Sequence, residues 1–434
     1  FPKKMKNSFG LPRLPPFIIS GDSMHRNHLL LAALAFNASL ALAQPAPQGV
    51  SKTEITVGTI QDLSGPIAGF GKQIRNGMMM RVAEANELGG VHGRKIKLVV
   101  EDSAYDPRKA VLGAQKLVNQ DKIFAMVAHL GTAQNMAAMP VLFEKNVVNL
   151  FPIAAAREMY EPFHRLKYSN AATYYDQMRI AAARLAKDNK VTKACVLYQD
   201  DDFGTEVLHG AEAGLKTIGL QLTEKTSYKR GATDFSSQVA KLKAASCEMV
   251  VLGTIIRETV GAMAEARKNG YSPIFVGSSA AYTDLIPKLG GKVVEGLYAT
   301  MTAQHPYLDA AEQPVRFWAN KYKTQFNEDP TVFSAYGYGN MDAFIKTAFK
   351  TGPNLSVDTF VNTLDRMTFN RDMFGTAELS FSSTKHLGNQ YSRLSQIHDG
   401  RWKVVSDYVA FSGLKPVLRK NGRWEIESEF FKTP

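Results

Sequence analysis

The sequence predicts an α/β protein made of two similar, doubly wound lobes. Three observations predict it. From residue 54 onward, short apolar runs alternate with stretches of helical periodicity. The alternation begins again at residue 194, so each series spans about 120–150 residues. A chain of 434 residues also exceeds what a single hydrophobic core usually serves.

The first series opens with ITVGTI at 55–60, a strand. Asp62–Gly71 then leads into a helix on which Ile74, Met78, Val82 and Ala85 recur at helical spacing, ended by Gly89-Gly90. KIKLVVEDS at 95–103 is the next strand. Asp106-Pro107 opens a helix with Val111, Gln115 and Val118 at its turns. IFAMVAHL, a helix over 134–144 and NVVNLFPIA follow, with Thr132 or Asn135 placed to cap that helix.

The second series runs ACVLYQD, a helix over 203–217, QLTEKTSY, a helix over 234–245, EMVVLGT, a helix over 257–269 and IFVGSS. In the helix at 234, Asp234 can cap while Phe235, Val239 and Leu242 share one apolar face. Residues 313–350 are helical again. From Phe374 the pattern becomes short β segments, GTAELSF and then YSRLSQIHDGRWKVV, with Asp399-Gly400 as a hairpin signal. Residues 413–434 form a charged, weakly patterned extension.

Residues 24–43 read as a secretory signal peptide. Met24 and Arg26 start it, Leu29–Leu42 is its apolar stretch, and Ala41 and Ala43 precede a cleavage point. That stretch is too short to span a membrane, and no Cys follows it to take a lipid. Residues 1–23 are upstream of this signal. The formal charge is +12 and residues 1–43 hold five Lys/Arg and one Asp, which leaves about +8 on the rest. The excess is dispersed, so a nucleic-acid stripe is not indicated. Cys195 and Cys247 each sit in or beside a strand. Export permits a disulfide between them, and two buried thiols fit equally well.

Catalytic templates fail one by one. GFGKQ at 69–73 has Pro66 and Gln73 where a phosphate loop requires Gly and Ser or Thr. VGSSAA at 276–281 has Ala281 where a nucleophile elbow needs Gly. The nine His form no paired-ligand spacing, two of them lying in the leader. Asp200-Asp201-Asp202 stands at a strand end, where acidic residues commonly cap or face solvent. The expectation is no enzyme, no metal and no cofactor.

In open α/β sheets, ligands bind beyond the carboxyl ends of the strands. There the sequence is short-chained and polar: Leu63-Ser64-Gly65-Pro66, Gly131-Thr132-Ala133-Gln134-Asn135, Ile153–Ala156, Gly253-Thr254-Ile255 and Gly277-Ser278-Ser279. Small side chains let a solute reach the main chain. The first-turn N–H groups of the next helix then favour an anion without an Arg.

Several longer stretches carry a family resemblance: VGTIQDLSGPIAGFGKQIRNGMMMRVAEANELGGVHGRKIKLVVEDSAYDPRKA, VLYQDDDFG and DFSSQVAKLKA. From Ile55 to about Phe411 the chain resembles the periplasmic solute-binding proteins of branched-chain amino-acid ABC transporters. The resemblance implies a type I periplasmic binding fold, with two Rossmann-like lobes hinged by three crossovers. One lobe would take 54–171 and 305–380, the other 172–304 and 381–412. It implies a periplasmic monomer that delivers its solute to a membrane permease served by a separate ATPase; a sensor feeding a membrane receptor is the alternative.

The family's carboxylate clamp maps to Ser64, Thr132, Gln134 and Asn135, and to Ala154 and Ala155, where its usual hydroxyl is missing. In the second lobe Phe203, Thr254 or Ile255 take the other site positions. The family's acidic partner for an amino acid's ammonium falls at Ser279. An unpartnered buried ammonium is costly, and Asp200 and Asp284 are the nearest substitutes. The expected solute therefore keeps a carboxylate and loosens the ammonium requirement: an aromatic or aliphatic acid walled by Phe203, Tyr174 and Tyr336.

Overall fold

Two parallel sheets organise the chain, and both have the strand order of a doubly wound fold. The computed structural model describes residues 47–412, 415–420 and 423–426. Residues 1–23, the leader expected over 24–43 and the remainder of the 413–434 tail lie outside the described residues.

The first sheet contains β1 (Glu54–Gln61), β2 (Lys95–Asp102), β3 (Ala125–Val127), β4 (Val148–Leu150) and β5 (Lys167–Tyr168) in the order β2-β1-β3-β4-β5, with every pairing parallel. Helices α1 (Ala68–Glu87), α2 (Pro107–Asn119) and α3 (Thr132–Glu144) connect its first four strands. Strand alternation divides the core between the two faces. Ile55, Val57, Ala125 and Val127 join the main cluster, while Ile60 and Met126 turn to a second one. That second cluster holds Ala110, Ala114 and Leu117 of α2 with Ala138 and Leu142 of α3. Of the positions read for α2, Val118 joins this cluster and Val111 is half-buried, while the face runs through Ala114 instead of Gln115. Gln115 is exposed, and small alanines face α3 so that the two helices approach closely. The start of α2 is as expected, because Asp106 accepts from the N–H groups of Arg108 and Lys109.

After β5 the chain crosses to the second sheet. It runs through α4 (Tyr174–Asp188), β6 (Ala194–Gln199), α5 (Asp202–Lys216), β7 (Leu222–Tyr228), α6 (Ser236–Ala244), β8 (Met249–Gly253), α7 (Arg257–Lys268), β9 (Ile274–Gly277), α8 (Leu285–Gly290) and β10 (Tyr298–Met301). The parallel order β7-β6-β8-β9-β10 repeats that of the first sheet. β8 is buried along its whole length, as a strand covered on both faces must be.

The chain then returns through α9 (Gln313–Phe326), α10 (Val332–Thr351), which packs along α1, and α11 (Val357–Leu364). The short pair β11 (Thr368–Phe369) and β12 (Leu379–Ser380) follows. A third passage leads to β13 (Arg393–His398) and β14 (Arg401–Val404), an antiparallel extension of the second sheet next to β10. The expected hairpin turn is present, with φ of 54° at Asp399 and 70° at Gly400. Positive φ at both positions is the type I′ geometry that matches strand twist. β15 (Val409–Ser412) is followed, in the tail read as weakly patterned, by backbone strands β16 (Lys415–Lys420) and β17 (Arg423–Ile426), the three forming an antiparallel sheet of their own.

Cys195 on β6 and Cys247 just before β8 are buried and joined by a disulfide, with their Cα atoms 5.8 Å apart. The sequence left this pair open because only the strand order makes β6 and β8 neighbours. Closing a 52-residue separation removes unfolded-state entropy worth about 4 kcal/mol in the chain-entropy model. Replacing both cysteines by serine is expected to lower the unfolding free energy by about 2–4 kcal/mol. Denaturant titration checks this, and an unchanged midpoint would contradict it.

Candidate functional site

The carboxyl edges of the two parallel sheets meet around one cavity, with about 120 Å³ of space for water centres. A single water needs on the order of 10–15 Å³ by that measure, so the space suits a solute of about ten non-hydrogen atoms. The lining comes from loops just beyond the strands. Ile67 and Phe70 follow β1, Tyr105 follows β2, Leu130–Thr132 follow β3, and Pro152–Ala155 follow β4. From the second sheet come Phe203 after β6, Ile255 after β8, Ser279 after β9 and Thr302 after β10.

The loop before α3 is bent by Gly131, whose φ is 100°. A Cβ there would lie 2.2 Å from Gln134 Oε1, so glycine is required for both backbone and space. Two backbone bonds tie this loop to the one after β4: Gly131 N–H donates to Ile153 O at 3.2 Å, and Ile153 N–H to His129 O at 2.9 Å. The helix begins at Thr132 rather than 134, and neither Thr132 nor Asn135 caps it. No side chain accepts from its first-turn N–H groups. An open helix N-terminus beside the cavity presents donors and a positive dipole end to whatever occupies it.

Of the residues singled out in the sequence, Thr132, Ala154, Ala155, Tyr174, Phe203, Ile255, Ser279 and Tyr336 line the cavity. Ser64, Gln134, Asn135 and Thr254 do not, and each has a structural occupation. Ser64 is exposed and donates to Asp102 Oδ2 at 2.5 Å, holding its own loop. Gln134 is buried behind the loop, donating to Tyr105 O at 2.6 Å. Asn135 donates back to His129 O and Gly131 O and accepts from Asn149 Nδ2. Thr254 is buried against Thr259, with their hydroxyls 2.6 Å apart. Helix geometry explains the first-lobe misses. Each residue turns by 100°, so Gln134, two beyond Thr132, faces away from the cavity, while Asn135 is drawn back onto His129 O and Gly131 O.

Aromatic side chains form most of the apolar wall. Phe70 stacks on Phe333 of α10 at a centroid distance of 3.6 Å. Tyr174 meets Phe203 edge to face at 5.0 Å, across the hinge-side wall. Burial pushes the Tyr174 hydroxyl up to about 12, so it stays protonated. The Tyr336 hydroxyl lies 3.1 Å from Thr302 Oγ1. The sequence reading missed Phe70, Tyr105, Phe333, Asn340 and Asp372. The last three come from the return segment, far along the chain, and no local motif marks them. Asp372 is the one charged side chain in the lining. Asp200 and Asp284, the suggested substitute acids, do not line it: Asp200 is exposed, and Asp284 pairs with Lys288 at 2.7 Å.

Ion pairs join the lobes beside the cavity. Arg157, after β4, holds Glu206 of α5 in a bidentate pair at 2.5 and 2.9 Å, and its guanidinium lies 4.1 Å from the Tyr175 ring centre. Arg230, after β7, donates to Tyr105 O at 3.3 Å while paired with Asp201 at 2.7 Å. Among the described residues no group of three or more His, Cys, Asp or Glu is placed to hold a metal.

His129 lies under the clamp loop, fully buried, with neither ring nitrogen hydrogen-bonded. Burial lowers its pKa to about 3, so the folded state keeps it neutral. The unfolded chain protonates it near 6.5, so acidification below that point favours unfolding. Between pH 6.5 and 5, the wild type is expected to lose about 2 kcal/mol relative to His129→Leu. Parallel pH–stability curves for the two proteins would contradict this.

Comparison with known proteins places these features in context. The family model described as periplasmic binding protein matches residues 54–401. An amino acid binding protein of Pseudomonas aeruginosa is 25% identical over 321 residues, covering 73% of this chain and 84% of that protein. The Leu/Ile/Val-binding protein of Escherichia coli is 27% identical over 304 residues, covering 70% and 79%. Among solved structures, a fatty acid ABC transporter substrate-binding protein from Thermomonospora curvata superposes with a TM-score of 0.75 at 22% identity, covering 83% and 93%. A leucine binding protein from Thermotoga maritima gives 0.73 at 16% identity, covering 81% and 97%. Both show the same two-lobed fold.

Proposed function

The chain belongs to the periplasmic binding protein family, and from that premise we propose that it captures a small carboxylic acid between its lobes for uptake by an ABC transporter. As a member of a family of binding proteins it is a binding protein and not an enzyme. The reading places it in the periplasm, handing its solute to membrane permease subunits driven by a separate ATPase.

The observation that carries the reading is the pairing of an uncapped helix N-terminus with a largely apolar lining. Gly131, Thr132, Ala154 and Ala155 surround the open end of α3, and among the described residues no Lys, Arg or His lines the cavity. A carboxylate there meets N–H donors and the positive end of the helix dipole in a site of low dielectric. The rest of the solute meets Ile67, Phe70, Tyr174, Phe203 and Phe333. At the position where the family resemblance expects an acid facing an α-ammonium stands Ser279, whose N–H is taken by Gln177 Oε1 at 2.9 Å. The curated relatives are named for leucine, isoleucine and valine, so branched-chain amino acids are the competing solutes. Ser279 favours an acid that lacks the α-amino group.

Binding would act through closure. Each lobe supplies part of the wall, so a solute gains contacts in the closed state that an open one lacks, and the population shifts accordingly. Arg157–Glu206 and Arg230–Tyr105 are interlobe contacts that favour the closed arrangement.

A thermal-shift and calorimetric series tests this with benzoate, hexanoate, their primary amides and leucine. A solute bound only by the native state raises the midpoint by mass action. The acids are expected to raise it and the amides to leave it unchanged. Leucine binding far more tightly than either acid would contradict the assignment.

A further inference from the structure

The cavity has a second polar corner, away from the helix tip. β5 lies two strands from β3, so the chain exits at Asn170 and Gly131 are about 10 Å apart. On the opposite wall, α10 runs from Phe333, stacked on Phe70, to Asn340, seven residues and about 10 Å further along. Asn340 donates to Phe151 O at 2.9 Å and accepts from Asn170 Nδ2 at 2.6 Å. That leaves the Asn170 side-chain oxygen as an acceptor. Asp372 stands beside them: a Cβ built on Gly339 would lie 3.8 Å from its Oδ2, with nothing nearer.

Asp372 Oδ1 accepts from Thr376 N–H at 3.0 Å, and the Thr376 hydroxyl and Phe374 N–H also act on the carboxyl. The charges and donors acting on the carboxyl are Thr376, Phe374 and the like-charged Asp342, itself paired with Arg81 and Lys346. Asp372 is exposed and lines the cavity, so its carboxyl is accessible to a solute as well as to water. Among the described residues, Asp372 brings the one charged acceptor to this lining.

We infer that Asp372 is a specificity-determining residue, receiving a hydrogen-bond donor that the solute carries at the end remote from its carboxylate. The inference rests on the carboxylate reading above and adds the second half of the solute. A hydroxyl or an ammonium satisfies the same acceptor oxygen. An unsubstituted acid displaces water from that carboxyl without replacing its hydrogen bond, which disfavours it against the donor-bearing one. The site would then discriminate by the unmet acceptor as much as by the new bond.

Calorimetry on the intact chain separates these terms with hexanoate, 6-hydroxyhexanoate and 6-aminohexanoate. At least one donor-bearing acid is expected to bind about tenfold or more tightly than hexanoate, and the winning probe identifies the donor. Asp372→Asn keeps an oxygen for Thr376 N–H but replaces Oδ2 by an NH₂ donor. In that variant the ratio is expected to fall to about one. Asp372→Ala serves as the second variant, with the same expectation. Equal binding of all three acids by the wild type, or a ratio that survives both substitutions, would overturn the role of Asp372 alone. Failure of every acid to bind would overturn the carboxylate reading and this inference with it.

Discussion

A parallel sheet ends all its strands at one edge, and the helix after each strand begins there. This constraint governs where a solute can sit in the molecule. Each lobe presents a row of strand exits and helix starts, and the chain crosses between the lobes so that the two rows face each other. The lining follows directly: Ile67, Tyr105, Gly131 and Ala154 lie past strands of the first sheet, and Phe203, Ile255, Ser279 and Thr302 past strands of the second. The same strand order in both sheets brings the reversal of winding, between β1 and β3 and between β6 and β8, to the same gap.

Within that gap, electrostatics is supplied by the main chain. Most helix starts near the cavity are satisfied internally: Thr173 caps α4, Asp201 caps α5, and Thr331 forms a capping box on α10. α3, like α1 and α7, has no side-chain cap, and only Gly131 precedes it, leaving donors available. Beside the cavity, Arg157 pairs with Glu206 across the lobes, and Arg230 pairs with Asp201 within the second lobe. The cost of burying a carboxylate is then met by fixed dipoles, which need no counter-ion to be desolvated alongside it.

Much of the fold was legible in the sequence because its signals are local. Apolar runs, Asp106-Pro107 and Asp399-Gly400 each act within a few residues, and the structure has strands, a cap and a turn at those places. The site was legible where it lies directly past a strand, as at Thr132, Ala154 and Ser279. It was misread one helical turn later, at Gln134 and Asn135, where direction depends on the exact residue at which α3 starts. That start depends on the positive φ of Gly131 and its tie to Ile153, a contact between separate loops. Phe333, Asn340 and Asp372 carried no local signal at all, since they reach the cavity through the packing of α10 on α1. The Cys195–Cys247 bond was open for a related reason: pairing follows strand order, which periodicity does not specify.

The most direct test of the account is a crystal structure of the protein with benzoate bound. It predicts the carboxylate within hydrogen-bond reach of the first-turn N–H groups of α3, with the ring between Tyr174, Phe203 and Phe333. A ring in the cavity whose carboxylate points away from residues 131–134, toward solvent or a side-chain cation, would contradict it.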